Sequence, residues 1–396
     1  MSKKNSKKTV PELRFRGFTD PWEQRQLEEL VSDGIIALKR GNVIPRQTGR
    51  YPVYSSSTAK DGLFCTSDSF MFDQELVTWS IDGGGKPFYR PRHRFSVTNV
   101  CGYALIHNPQ TFTYRFLGLA MDRAWTRAHF DYSSKAHPSV IEKMYVLPIP
   151  SLPEQHRIGE FFSTLDSLIA AAERQETLLR RKKQAYLQLM FPREGETQPR
   201  LRFAGFSGGW ERRQLREVAV KTGSGGTPTS SNPRYYGGSI PFLGISDING
   251  RYVDTTQKTL TEEGLANSAA WIVPQGAISL AMYASYGKSA ILARPMATSQ
   301  AFFNIVFRSN VTRDFVFSRL QCAESRHEWD TLVSTGTQPN LSGSKLKKWT
   351  IGYPSLPEQH HIGEFFKVLD SLIAAAEERT KALTALKSVY LQRMFA

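Results

Sequence analysis

The chain has 396 residues, 40% apolar and 12% aromatic, which excludes a fibrous or wholly disordered protein and predicts two globular domains rather than one. Its 51 lysines and arginines against 36 acidic residues leave a charge of +15; this suits a polyanionic partner, nucleic acid or anionic membrane, and equally a plain basic surface. Three scattered cysteines, Cys65, Cys101 and Cys322, no apolar run of about 20 residues and no signal-peptide pattern argue against a disulfide framework, a zinc site and a membrane span, so a cytoplasmic location is expected.

In chain order, residues 1–10 read as a basic flexible tail. Residues 11–150 read as a first globular domain with strand candidates at Tyr51–Tyr54 and Leu76–Trp79, and a glycine loop in WSIDGGGKPFY. Residues 151–191 read as one long helix, stopped by Pro192, and 192–210 as a linker. A second globular domain over 211–354 opens with the Gly/Ser/Thr loop Gly223–Pro228 and the pair Tyr235-Tyr236, with strands near Ile240–Ile245 and Ala277–Ala281. Residues 355–396 are a second long helix.

Repetition is the dominant signal. SLPEQHRIGEFFSTLDSLIAAAE from Ser151 recurs as SLPEQHHIGEFFKVLDSLIAAAE from Ser355, an offset of 204. PELRFRGFTDPWEQRQLEELV from Pro11 recurs as PRLRFAGFSGGWERRQLREVA from Pro199, an offset of 188. Residues 32–150 and 220–354 look largely unrelated, so a repeated frame carries two different inserts. One faint correspondence joins them: Gly85-Lys86 then Thr98-Asn99, and Gly287-Lys288 then Ser299-Gln300.

A seven-residue step places Ile158, Leu165, Ala172, Leu179 and Tyr186 on one stripe, and Ile362, Leu369, Ala376, Leu383 and Tyr390 on its copy. Phe161/Phe162, Leu168/Ile169, Phe365/Phe366 and Leu372/Ile373 fill neighbouring positions. A period of 3.5 residues is what supercoiling helices need. Ser151-x-x-Glu154 and Ser355-x-x-Glu358 are capping-box candidates, with Pro153 and Pro357 tolerated in the first turn. Each helix spans about 55 Å and must pair, either with its copy as an antiparallel, pseudo-twofold partner or within two separate cores.

No catalytic constellation stands out. Gly83–Lys86 runs into Pro87 and Gly223–Pro228 has no lysine, so neither is a phosphate loop. There is no HExxH cluster. Phe203–Gly208 faintly resembles a methyl-donor loop, but its counterpart Phe15–Asp20 lacks the last glycine. Ser231–Tyr235 matches a base-methylation motif only superficially. His156 and His360, repeated at a helix start, read as solvated or capping residues.

The repeated S-L-P-E-Q-[HR]-x-I at Ser151–Ile158 and Ser355–Ile362 resembles the specificity subunit of type I restriction-modification systems. Thr337–Ser342 before the second copy and the G-x-T-P…Y-Y-G-G-x-I-P run at Gly226–Pro241 also match, whereas Ala136–Val140 matches only in part. The resemblance implies an α+β protein in which two α/β target-recognition domains are joined by two antiparallel coiled-coil helices. It implies no catalysis by this chain: each domain reads one half of a bipartite, asymmetric duplex target. Two methyltransferase subunits, using S-adenosylmethionine, and ATP/Mg-dependent restriction subunits dock on the frame, so this chain itself needs no cofactor or metal.

Base edges are read by Gln, Asn, Arg and Lys, and loops that carry them are the candidates. In the first insert these are Ser55, Ser56, Ser57, Lys60, Lys86, Arg90, Arg92 and Arg94. In the second they are Thr227, Tyr283, Tyr286, Lys288, Gln338 and Asn340. Arg180–Lys183 read as a solvated face or a partner contact. A nuclease or methyltransferase with an unrecognised site, and a stand-alone DNA-binding regulator, remain the alternatives.

Overall fold

Short runs rich in β-branched and aromatic residues, broken by glycine turns, fold the first insert into a six-stranded sheet, in the computed structural model, which describes residues 8–57, 59–128, 130, 135–334 and 340–395. Its spatial order is Ile36–Arg40, Cys101–Ile106, Phe72–Ser80, Pro87–Val97, Tyr51–Tyr54, Leu63–Ser67. Only Tyr51–Tyr54 runs parallel to its neighbour, pairing with the end of Pro87–Val97. Leu76, Phe95, Val97, Cys101 and Tyr103 fill one face. The helix Tyr114–Arg127, whose first turn is capped by Thr113 Oγ1 accepting from the Phe116 amide, covers the other with Phe116, Leu117 and Ala120. These residues belong to a unit made of Met1–Ala171 and Thr380–Ala396.

The second unit, Ala172–Arg379, builds the same plan from different residues. Lys221–Ser224, Phe302–Val306, Ile278–Ala281 and Ser289–Leu292 lie in that order, with Tyr252–Val253 at the edge. Tyr236–Leu243 pairs parallel with Met296–Thr298 and antiparallel with Lys258–Leu260. Pro295 stands between the strands Ser289–Leu292 and Met296–Thr298, where the first unit has one long strand, Pro87–Val97. The helix Asn310–Ser325, with Ser309 at its N-cap, takes the place of Tyr114–Arg127.

Backbone hydrogen bonds flank the Thr98-Asn99 and Ser299-Gln300 parts of the faint correspondence alike. The Gly41 amide donates to Cys101 O at 3.0 Å and the Asn42 amide to Val97 O at 3.1 Å. In the second unit Gly225 donates to Phe302 O at 3.2 Å and Gly226 to Thr298 O at 3.0 Å. A Cβ on Gly41 would lie 2.2 Å from Val97 O, and one on Gly225 2.1 Å from Thr298 O. Only glycine allows that approach in either copy.

The repeated frame forms two 39-residue helices, Leu152–Met190 and Leu356–Met394. In the first unit Phe162 and Leu165 pack with Leu391, Met394 and Phe395; in the second Leu187, Met190 and Phe191 pack with Ile362, Phe366 and Leu369. The start of each helix thus meets the end of the other, as an antiparallel pair requires. Lys387 pairs with Asp166 at 2.7 Å and Lys183 with Asp370 at 2.5 Å, one contact written twice at the 204-residue offset. Ile158, Leu165, Ala172, Ile362, Leu369 and Ala376 are buried, while Leu179, Tyr186, Leu383 and Tyr390 are half-buried. A fully buried side chain of this size contributes about 1.5–3 kcal/mol.

Several expectations change. Leu168 and Leu372 are exposed and do not extend the buried stripe. Of the residues read as a basic tail, Lys8–Thr9 is a strand that pairs with Trp22–Glu23; residues 1–7 lie outside the described residues. The 192–210 segment is docked, not loose: the Leu201 amide donates to Leu189 O and Phe203 packs on Phe365. Glu154 and Glu358 do not close capping boxes. They are buried and accept bidentate bonds from Arg14 (2.6 and 2.7 Å) and Arg202 (2.7 and 2.8 Å). Arg127 donates to Phe395 O, and Arg326 to Gln188, Phe191 and Pro192 carbonyls, so a cation satisfies the carbonyl end of each long helix.

Candidate nucleic-acid interface

At one end of the first unit's sheet, three loops are tied together. The Thr98 amide donates to Tyr54 O, Thr98 Oγ1 to Ser55 Oγ at 2.9 Å, the Ile81 amide to Val100 O, and Ser80 Oγ to Ser56 O. The Ser55–Lys60 loop, the Ile81–Lys86 loop and the Thr98–Cys101 turn therefore share one rim. The second unit repeats it: Ser299 donates to Leu243 O, Met282 to Ala301 O, and Leu341 to Met282 O. The Ala281–Lys288 loop, the Ser299–Phe302 turn and the strand Asn340–Leu341 meet there. Ala136, whose amide donates to Ile81 O, stands where Leu341 stands in the other copy.

Most sequence-chosen residues lie on these rims. Ser57 and Lys60 are exposed, and Ser55 and Ser56 are half-buried. Lys86 sits over the rings of Phe88 (5.6 Å) and Trp125 (5.8 Å). Thr227 is exposed and its hydroxyl donates to Gln300 Oε1. Tyr286 donates to Asp330 at 3.0 Å, which raises its pKa, while Tyr283 leans on the second core. Asn340 is half-buried in its strand, and Gln338 lies outside the described residues. Lys288 instead lines a cleft of about 720 Å³ with Arg180, Lys183 and Asp370. Arg180 pairs with Glu176 and Glu377. Lys60, Asp61 and Ala284 hold positive φ (49°, 51° and 55°), strained backbone placed in these loops.

Arg90 is not the exposed rim residue that its sequence position led us to expect. It is 4% exposed, donates to Thr78 Oγ1 and Asp61 O, and stacks 3.7 Å from the Tyr54 ring centroid. Burial lowers its pKa. It props the loop from inside the fold, with its guanidinium turned away from the surface. Arg92 and Arg94 are exposed and lie away from the rim, on strand Pro87–Val97, where both approach Asp73. Arg94 also lies 5.0 Å over Phe70 and donates to the Tyr51 hydroxyl, whose pKa it lowers. Two amides at these turns, Asn99 and Gln300, were not among the base-reading candidates singled out from the sequence. The Thr98-Asn99/Ser299-Gln300 correspondence was the signal that pointed at them. Among the described residues no group of acidic, His or Cys side chains is arranged to hold a metal, and no helix is long and apolar enough to cross a membrane.

Comparison with known proteins shows the family. The model of the type I restriction modification DNA specificity domain matches twice, over residues 19–180 and 207–385. The MjaIX specificity subunit of Methanocaldococcus jannaschii is 27% identical over 177 residues, 44% of this chain and 41% of that protein. A putative type I specificity subunit of Mycoplasma pneumoniae is 23% identical over 341 residues, 83% of this chain and 85% of that one. This chain thus matches less than half of the first relative's length and most of the second's. The crystal structure of a type I S subunit from M. genitalium superposes with a TM-score of 0.68 at 15% identity, covering 98% of this chain and 99% of that one, a likeness of fold. Two copies of one specificity domain, carried on two paired 39-residue helices, make this chain a member of the type I restriction-modification DNA specificity family.

Proposed function

We propose that this chain is the non-catalytic, DNA-reading subunit of a type I restriction-modification assembly. Each unit reads one half of a bipartite, asymmetric duplex target. The observation that carries this is the repetition of one sheet-and-turn scaffold whose rims bear different side chains. A repeated scaffold holds two readers in the same attitude to DNA, and unlike rims select unlike bases. The long helices dock two methyltransferase subunits and fix the unread spacer between the half-sites. S-adenosylmethionine, ATP and Mg²⁺ are bound by the methyltransferase and restriction/translocase subunits, not by this chain.

The test is purification of the chain alone and with a co-expressed methyltransferase subunit, each assayed on DNA with Mg²⁺, ATP and S-adenosylmethionine. Adenine methylation at one bipartite motif is expected only from the complex. Turnover by the chain alone would overturn the reading.

A further inference from the structure

In both units a tight turn leads into the strand that follows the parallel pairing. The Cys101 amide donates to Thr98 O at 2.9 Å, and the Phe302 amide to Ser299 O at 3.1 Å. The residue one step into each turn is a carboxamide, Asn99 or Gln300. Beside each turn runs the glycine crossing described above, Gly41-Asn42 and Gly225-Gly226, followed by Val43 and Thr227. The inserts otherwise share little sequence, so a carboxamide kept at the same backbone position is informative.

The chemistry of the two amides suits one task. The Asn99 side chain makes no hydrogen bond among the described residues; only its carbonyl is engaged, accepting from Arg40 at 3.1 and 2.8 Å. Arg40 is exposed and brings a cation beside the turn. Gln300 is exposed, and Thr227 fixes its Oε1 while, among the described residues, a second lone pair and both N–H donors have no hydrogen-bond partner. An amide oxygen that accepts and an amide nitrogen that donates, side by side, match the N6 donor and N7 acceptor of adenine in the major groove.

We propose that Asn99 and Gln300 are equivalent specificity-determining residues, each reading an adenine in its own half-site. This rests on the DNA-reading function proposed above. Thr227 acts as a positioning residue for Gln300, a role Val43 cannot take for Asn99.

The test uses the full chain, isolated with the subunits that accompany it, and selection from a randomised duplex library followed by sequencing. The Asn99→Ala variant is expected to lose preference at one A·T pair in one half-site by about tenfold. Gln300→Ala should do so in the other half-site only. Asn99→Asp and Gln300→Glu keep the shape but lose the donor, and are expected to turn the preference from adenine towards cytosine, whose N4 group a carboxylate accepts. These near-isosteric variants answer the question should either alanine variant fold poorly. If the unaltered chain selects no bipartite motif, the DNA-reading function falls and this proposal with it. If it selects one and the Asp and Glu variants select the same bases, or the altered position is a G·C pair, the proposal alone is overturned.

Discussion

Tyr390 stands edge-on to Phe161, ring centroids 5.0 Å apart with planes at 83°. The same pair recurs 204 residues displaced as Tyr186 and Phe365, at 5.0 Å and 89°. Each pair joins the beginning of one long helix to the end of the other, so the amphipathic stripe and the antiparallel order are locked by one contact used twice. Edge-to-face aromatic pairs add about 0.5–1.5 kcal/mol beyond the area they bury. A double-mutant cycle of Phe161→Leu and Tyr390→Leu, read by hydrogen exchange in the first unit, is expected to give a coupling of about 1 kcal/mol. Additive losses would mean that the rings pack independently.

Trp22 and Trp210 occupy the same place in the two copies, and they differ in one bond. The Trp22 indole donates to Glu154 Oε2 at 3.1 Å, whereas Trp210 Nε1 is buried with no partner among the described residues. Truncation to phenylalanine removes similar volume in both. The Trp22→Phe change additionally removes a hydrogen bond to a buried carboxylate, so it should cost about 1–2 kcal/mol more than Trp210→Phe. Hydrogen-exchange protection in each unit measures this. Equal losses would show that the indole bond contributes nothing.

The frame was legible because its signals are periodic and duplicated. The stripe from Ile158 to Tyr186 and its copy from Ile362 to Tyr390 could be read without any fold in hand. Periodicity does not report direction around the helix closely enough to keep Leu168 and Leu372 out of the core, since a stripe only a few residues wide drifts over an ideal 3.6-residue turn. Glu154 looked like a helix cap because its natural partner, Arg14, is 140 residues away, and long-range ion pairs leave no local pattern. The rims were half legible. Glycine loops mark turns, but Arg90 and Arg92 are both arginines on one strand, and only the folded sheet buries one and exposes the other.

Cys101 and Cys322 give the protein an alkaline limit. Burial raises the Cys101 thiol to about 12 and Cys322 to about 11, from an ordinary value of 9.0. The unfolded chain therefore releases these protons near pH 9 while the folded chain keeps them. Between about pH 9 and the folded values the unfolded state binds fewer protons, so stability falls as pH rises; below pH 9 the contribution is fully present. Each thiol accounts for a slope approaching about 1.4 kcal/mol per pH unit in that window. Denaturant unfolding of Cys101→Ala between pH 8.5 and 10.5 should show a shallower decline than the unaltered chain. Parallel declines would remove this thiol from the account.

Arg90 and Arg94 lie four residues apart on one strand and should behave oppositely. Arg90→Ala empties a buried slot between Tyr54 and Phe88 and strands the Asp61 carbonyl that it bonds. It is expected to destabilise the first unit by about 2–4 kcal/mol, seen as lost hydrogen-exchange protection, with the DNA-binding salt slope of the remaining folded protein unchanged. The Arg92→Ala/Arg94→Ala double variant removes side chains that are 76% and 52% exposed, so stability should stay within about 0.5 kcal/mol. If these cations meet phosphates, each releases counterions on binding, and the double variant should bind DNA more weakly with the slope of log K against log salt reduced by up to about 1.8. Equilibrium binding to a duplex at several salt concentrations decides it. An unchanged slope would show that Arg92 and Arg94 meet no phosphate.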